Sequence, residues 1–137
     1  MKLKILIWFI AISIVLSVNG YAGVIGQDNA EVQQHADPII DNILQGMAND
    51  DYFQYTKDFD QHLKAIMSKD RFIKKRKEVY DWVGSYLYRE YLGFINTQSS
   101  TVIFWKGAFD NTKDDILIRL TLSEDQGRYF VKGLFYQ

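Results

Sequence analysis

The chain contains no cysteine. That excludes a disulfide framework, a thiolate nucleophile and a zinc–cysteine site. Histidine is scarce too: His35 and His62 are the only two, and they lack the helical i, i+4 spacing of a metal pair. Proline occurs once, as Pro38. No excess of positive charge is present, with 16 basic against 17 acidic side chains. A general nucleic-acid binder needs such an excess to displace counterions, so that class is set aside. Low-complexity tracts and internal repeats are absent as well. What remains is a length of 137 residues and a hydrophobic share of 47%, the profile of one folded domain.

The one long apolar run is at the start. Lys2 and Lys4 precede an uninterrupted stretch from Ile5 to Val18, followed by Asn19, Gly20, Tyr21 and Ala22. A short basic start, an apolar segment below the roughly 20 residues of a spanning helix, and small residues at Gly20 and Ala22 are the parts of a signal peptide. Residues 1–22 are therefore expected to be cleaved after Ala22, giving a periplasmic or secreted protein. An uncleaved leader would instead anchor the chain in the inner membrane, the one route by which a membrane becomes a partner. Without a cysteine after the run, a lipid anchor is excluded.

Residues 23–36 read as a loose lead-in and 37–137 as a single α+β domain. Asp37-Pro38 offers a helix start, and Ile39, Ile40, Ile43, Leu44 and Met47 follow as a stripe. Short helices are expected around Tyr52–Phe59 and Leu63–Met67. Ser68 caps a longer helix in which Phe72, Ile73, Val79, Tyr80 and Val83 share a face. After Gly84 the pattern turns to β, with strands predicted near 86–96, 101–109, 115–123 and 128–136. Ile116, Ile118, Leu120 and Leu122 alternate with Leu117, Arg119 and Thr121, which marks one buried face.

The segments ADPIIDNILQGMANDDYFQYTKDFD (Ala36–Asp60), REYLGFI (Arg89–Ile95), VIFWKGAF (Val102–Phe109), DDILIRLTL (Asp114–Leu122) and GRYFVKGLFY (Gly127–Tyr136) carry a resemblance. In their order they resemble the nuclear transport factor 2-like (cystatin-like) superfamily, and within it a family of exported bacterial proteins of unknown function. The resemblance implies N-terminal helices packed on a curved four-stranded antiparallel sheet, a cone-shaped roll. It also implies a hollow between helices and sheet, and a tendency of related folds to pair sheet to sheet. It carries no catalytic residues across, because the acid–base set of the superfamily's isomerases has no counterpart at identifiable positions here.

The chemistry-bearing residues divide accordingly. Asp110, Thr112 and Asp114 imitate the start of a calcium loop, but Asp115 and Thr121 stand where Gly and Glu are needed, so a hairpin turn is expected. Asp58 and Asp60 are a carboxylate pair better read as capping or surface groups. Lys69, Arg71, Lys74, Lys75, Arg76 and Lys77 form a solvated helix face, with Arg76 on the apolar stripe and able to reach an interior carboxylate. Arg89, Lys106 and Arg119 lie within strands and are assigned to the open face. If the hollow is open, Tyr55, Phe59, Tyr88, Trp105 and Arg119 are the ligand-binding candidates, and guanidinium beside aromatic rings would suit a small, partly apolar anion. If not, those rings fill the core. No catalytic residue, metal or cofactor is called for. The expected function is a non-enzymatic binding or interaction domain for a small ligand or a protein partner. The alternatives are a small pocket enzyme of the isomerase or lyase type, and an accessory domain forming a homodimer through its sheet.

Overall fold

The structure, a computed structural model, describes residues 23–137; the leader lies outside them. Helices come first and a sheet follows. The first helix, α1, spans Asn29–Ala48. It starts well upstream of Asp37-Pro38, so the predicted lead-in is corrected twice over. Asp28 accepts from the Glu31 N–H at 2.9 Å while the Glu31 carboxylate accepts from the Gln27 N–H at 2.8 Å. This pair of bonds is a stronger start than Asp-Pro, because Asp28 satisfies one orphan donor of the helix while Glu31 ties down the incoming chain at Gln27. It also adds Val32 and Ala36 to the buried stripe. Pro38 therefore sits inside the helix, where it cannot donate to the Gln34 carbonyl. Residues 23–28 are not loose either. The Ile25 N–H donates to Thr101 Oγ1 at 3.0 Å, Asn96 Nδ2 donates to the Gly26 carbonyl at 2.9 Å, and the Glu124 N–H donates to the Gly23 carbonyl at 2.9 Å.

Three further helices follow, each opened by a side-chain cap as their Asp and Ser residues dictate. They are α2 (Tyr52–Thr56), capped by Asp51; α3 (Gln61–Ile66), capped by Asp60; and α4 (Lys69–Val83), capped by Ser68. On α4 the inward residues are Phe72, Val79 and Val83. Ile73 and Tyr80, predicted to share that face, are instead exposed on its flank.

The strands are β1 (Tyr86–Asn96), β2 (Thr101–Phe109), β3 (Ile116–Asp125) and β4 (Arg128–Tyr136), in sheet order β1-β2-β3-β4 and antiparallel throughout. Their bounds match the sequence reading almost residue for residue. Register shifts occur in β1 between Tyr86 and Tyr88 and between Tyr91 and Gly93, and against β4 between Thr121 and Leu122. Such bulges bend and twist a strand locally. Beyond β4, Phe59 makes a short parallel bridge to Val131, and the Asp60 carboxylate pairs with Lys132 at 2.9 Å. Burial pulls the Asp60 pKa upward, but the Leu63 N–H and the Lys132 ammonium outweigh it, and the carboxyl sits below its ordinary value.

Alternation decides which residues face the helices. Ile103 and Trp105 of β2, Ile118, Leu120 and Leu122 of β3 and Val131 of β4 meet Ile40, Ile43 and Phe72 in the main core. Val79, Val83, Phe109 and Ile116 form a second, smaller cluster under α4. Fully burying each such side chain is worth roughly 1.5–3 kcal/mol, so the helix–sheet interface holds the domain together.

Candidate functional site

The five residues proposed from the sequence are not all brought together, although Tyr88 and Trp105 share the wall of a shallow cleft. Tyr55, Phe59 and Trp105 are core residues, at 2%, 2% and 1% exposure. The Tyr55 ring packs 5.2 Å from Phe59 and 4.8 Å from Phe72, centroid to centroid. Tyr88 pairs with Ala108 across the strand and is exposed on the other side of the sheet. Arg119 alternates with the buried Ile118 and Leu120, so it too lies on the outer side, with its guanidinium 4.6 Å from the Phe135 ring centroid.

An arginine does stand beside Tyr and Trp on the inner side, but it is Arg89. Assigned to the open face from the sequence, it is paired across the strand with Gly107, an inner position of β2. Its guanidinium lies 5.8 Å from the Trp105 ring centroid and donates to Asp41 Oδ1 at 2.6 Å and Asp37 Oδ1 at 3.4 Å. Asp37 and Asp41 are one helical turn apart on α1, so both reach the same cation. Burial alone would lower the Arg89 pKa. The Tyr86 hydroxyl and Asp41 reverse that, and the cation is held more firmly than usual. The carboxylates of α1 occupy the place an anionic ligand would take. Asp37, expected to cap the helix, is one of these two partners instead.

A shallow cleft lies beside Arg89, lined by Asp37, Tyr88, Tyr91 and Trp105, and a more enclosed space lies at the seam between the two core clusters. A cavity of about 130 Å³ is bounded by Leu44 and Met47 of α1, Val79 of α4, and Tyr86, Phe109 and Tyr136 of the sheet. Met47, Tyr86 and Tyr136 pack against both clusters. Tyr80 and Ser85, both exposed, stand at its mouth. Arg76 is on its rim, with Nε donating to the Met47 carbonyl at 2.6 Å and Nη2 to the Ala48 carbonyl at 3.3 Å. Arg76 thus closes the C-terminus of α1, which has no basic residue of its own in the last turn. Backbone carbonyls take the role the sequence assigned to an interior carboxylate, and Asp50 approaches only to 3.9 Å.

The Tyr136 hydroxyl is sealed from solvent and has no hydrogen-bond partner, and its pKa is driven far up by burial and by the nearby Tyr55. Burial also pushes Tyr55 up to about 12. None of the lining residues is an acid or a histidine. Tyr86, Phe109 and Tyr136 were visible in the sequence as strand aromatics, but nothing in their spacing separates a cavity wall from a packed core.

The remaining candidates have structural partners. The His35 ring stacks on Tyr129 at 4.4 Å. Asp58 accepts from Asn42 Nδ2 at 3.2 Å, and Asp60 caps α3. Asp110 Oδ1 accepts from the Ser85 N–H at 2.8 Å, in the turn after β2. On α4 the basic run is interleaved with acids, and Lys74–Glu78 and Lys77–Asp81 pair one turn apart. Among the described residues no helix is long and apolar enough to cross a membrane. No protein family, curated protein or solved structure matches the chain.

Proposed function

We propose that the chain is an exported, non-enzymatic binding domain, built as a roll of the nuclear transport factor 2-like (cystatin-like) kind. It takes a small, uncharged, largely apolar molecule in the cavity between α1, α4 and the sheet. The observation that carries this reading is the cavity at the seam of the two clusters, walled by aliphatic and aromatic side chains. An apolar cavity of about 150 Å³ stays dry and accepts benzene, so about 130 Å³ suits one ring or a short branched chain. Charge is disfavoured, because the rim cation Arg76 is already committed to carbonyls and the interior resists ionisation. An isomerase or lyase would need a carboxylate or imidazole beside the reacting carbon, and the lining supplies neither. Export rests on the leader, and N-terminal sequencing of the protein from its host should begin at Gly23.

Titration with benzene, cyclohexanol and benzoate separates the readings. The two neutral probes should raise the melting temperature, and benzoate should not. Val79→Phe, which fills the cavity from α4, should abolish the shift while leaving the circular dichroism spectrum intact. Failure of both neutral probes, or their undiminished binding to the Val79→Phe protein, would sink the proposal.

A further inference from the structure

We infer that the cleft beside Arg89 is a second site, and that it takes a neutral sugar ring. It lies between α1 and β1, the edge strand of the sheet, and measures about 330 Å³. Small-molecule sites start at roughly that volume. Of its lining only Tyr86 is shared with the apolar cavity, so this goes beyond the reading above and rests on other residues. Trp105 contributes the inner wall, and Tyr91 stands edge-on to it, 6.3 Å between centroids and 71° between planes. Gln33 and Asp37, one helical turn apart, form the wall on α1.

What calls for a ligand is the hydrogen bonding left open. The Trp105 indole N–H is buried and has no acceptor among the described residues, an uncommon state for a buried donor. An acceptor carried in by a bound molecule would satisfy it. Asp37 uses only Oδ1, at 3.4 Å from Arg89, and its side chain is 41% exposed. The Gln33 amide nitrogen donates to the Asn29 carbonyl at 3.4 Å, which leaves its oxygen able to accept. One donor and two acceptors thus surround an aromatic surface. Charge narrows the class. Two carboxylates, Asp37 and Asp41, against the single Arg89 leave a negative balance that opposes an anion. A cation would have to approach the Arg89 guanidinium, which already lies 5.8 Å from the Trp105 ring centroid. A neutral molecule meets neither objection. Its polar groups must both donate and accept, which a hydroxyl does and an ether or ketone does not. It must also offer an apolar face to the rings. A pyranose does both, with C–H groups across its face and hydroxyls around its rim.

Nuclear magnetic resonance on the nitrogen-labelled chain, as its host processes it, tests the inference through the Trp105 indole N–H. Glucose, galactose, mannose and N-acetylglucosamine are titrated to about 50 mM, where even weak binding saturates. At least one of them should shift that resonance saturably. Glucuronate and glucosamine, the charged analogues, should bind at least about tenfold more weakly than the best neutral sugar. Gln33→Ala and Asp37→Asn should each weaken binding by about tenfold with an unchanged circular dichroism spectrum. A trisaccharide of the best sugar that binds more tightly assigns the site to a glycan end, and one that does not assigns it to the free sugar. A Trp105 resonance unmoved by every sugar would overturn the inference. So would glucuronate binding as tightly as the best neutral sugar, or binding indifferent to both substitutions. Benzene added to the same samples reports on the apolar cavity through the melting temperature, so either reading can fail without the other.

Discussion

Tyr136 shows how one side chain can be read two ways at the residue scale. Its place opposite Ile118 puts it on the inner face, and its ring serves both core clusters. Its hydroxyl is another matter, being buried and unpaired. An orphaned buried hydroxyl costs about 1–3 kcal/mol of desolvation that no hydrogen bond returns. Tyr136→Phe should therefore leave stability unchanged or raise it by about 1 kcal/mol, measured by urea unfolding. A loss of that size would mean that the hydroxyl has a partner. Arg89 shows the converse. A charge inside a strand reads as solvent-facing, because an unpaired buried cation is prohibitively costly. It lies inside here because Asp37 and Asp41, far away in sequence, meet it across the fold. Such a pairing has no local signature.

At the scale of elements, α1 and its neighbours explain the largest departure from the sequence reading. Asp-Pro is a sound helix start taken alone. The Asp28 cap, with Glu31 tied to Gln27 and with Val32 and Ala36 ready to be buried, outcompetes it. The interior proline costs about 3 kcal/mol, and burial of that extra stripe against the sheet offsets it. Near the other end, Gly46 lets α2 approach α1, since a Cβ there would stand 2.5 Å from the Tyr55 backbone nitrogen. In an open helix Gly→Ala stabilises by up to about 1 kcal/mol. Gly46→Ala should do the opposite, costing about 1–3 kcal/mol through overpacking, again read from urea unfolding. A stabilised variant would show that α2 is not seated on α1.

Over the whole molecule, the buried tyrosines set an alkaline limit. Tyr55 rises from 10.0 to about 12, and Tyr136 further. Below pH 10 the phenols are neutral whether the chain is folded or not, and their contribution is fully present. As pH rises through 10 toward 12 the unfolded chain ionises while the folded one resists, so stability is lost across that window. Tyr55→Phe removes one of these groups, and unfolding followed against pH should show a shallower alkaline fall. An unaltered slope would place the Tyr55 hydroxyl in contact with water. The same layering, helices on one side only, leaves the other side of the sheet bare.

How much was legible depends on range. Local patterns by themselves determined the α+β order, the Ser68 cap, the four strands and the inward row of β3, because alternation and turn chemistry act over a few residues. They also marked Tyr55, Phe59 and Trp105 as residues that either fill a core or line a hollow. Tertiary structure alone decided between these, packing those three into the core and opening the space instead beside Met47, Val79 and Tyr86. Likewise it turned Arg89 inward onto α1 and hooked Arg76 onto the end of α1. Each of these outcomes depends on how two distant surfaces fit. A volume left between them, or a charge met across them, is a property of both surfaces together and is written in neither segment.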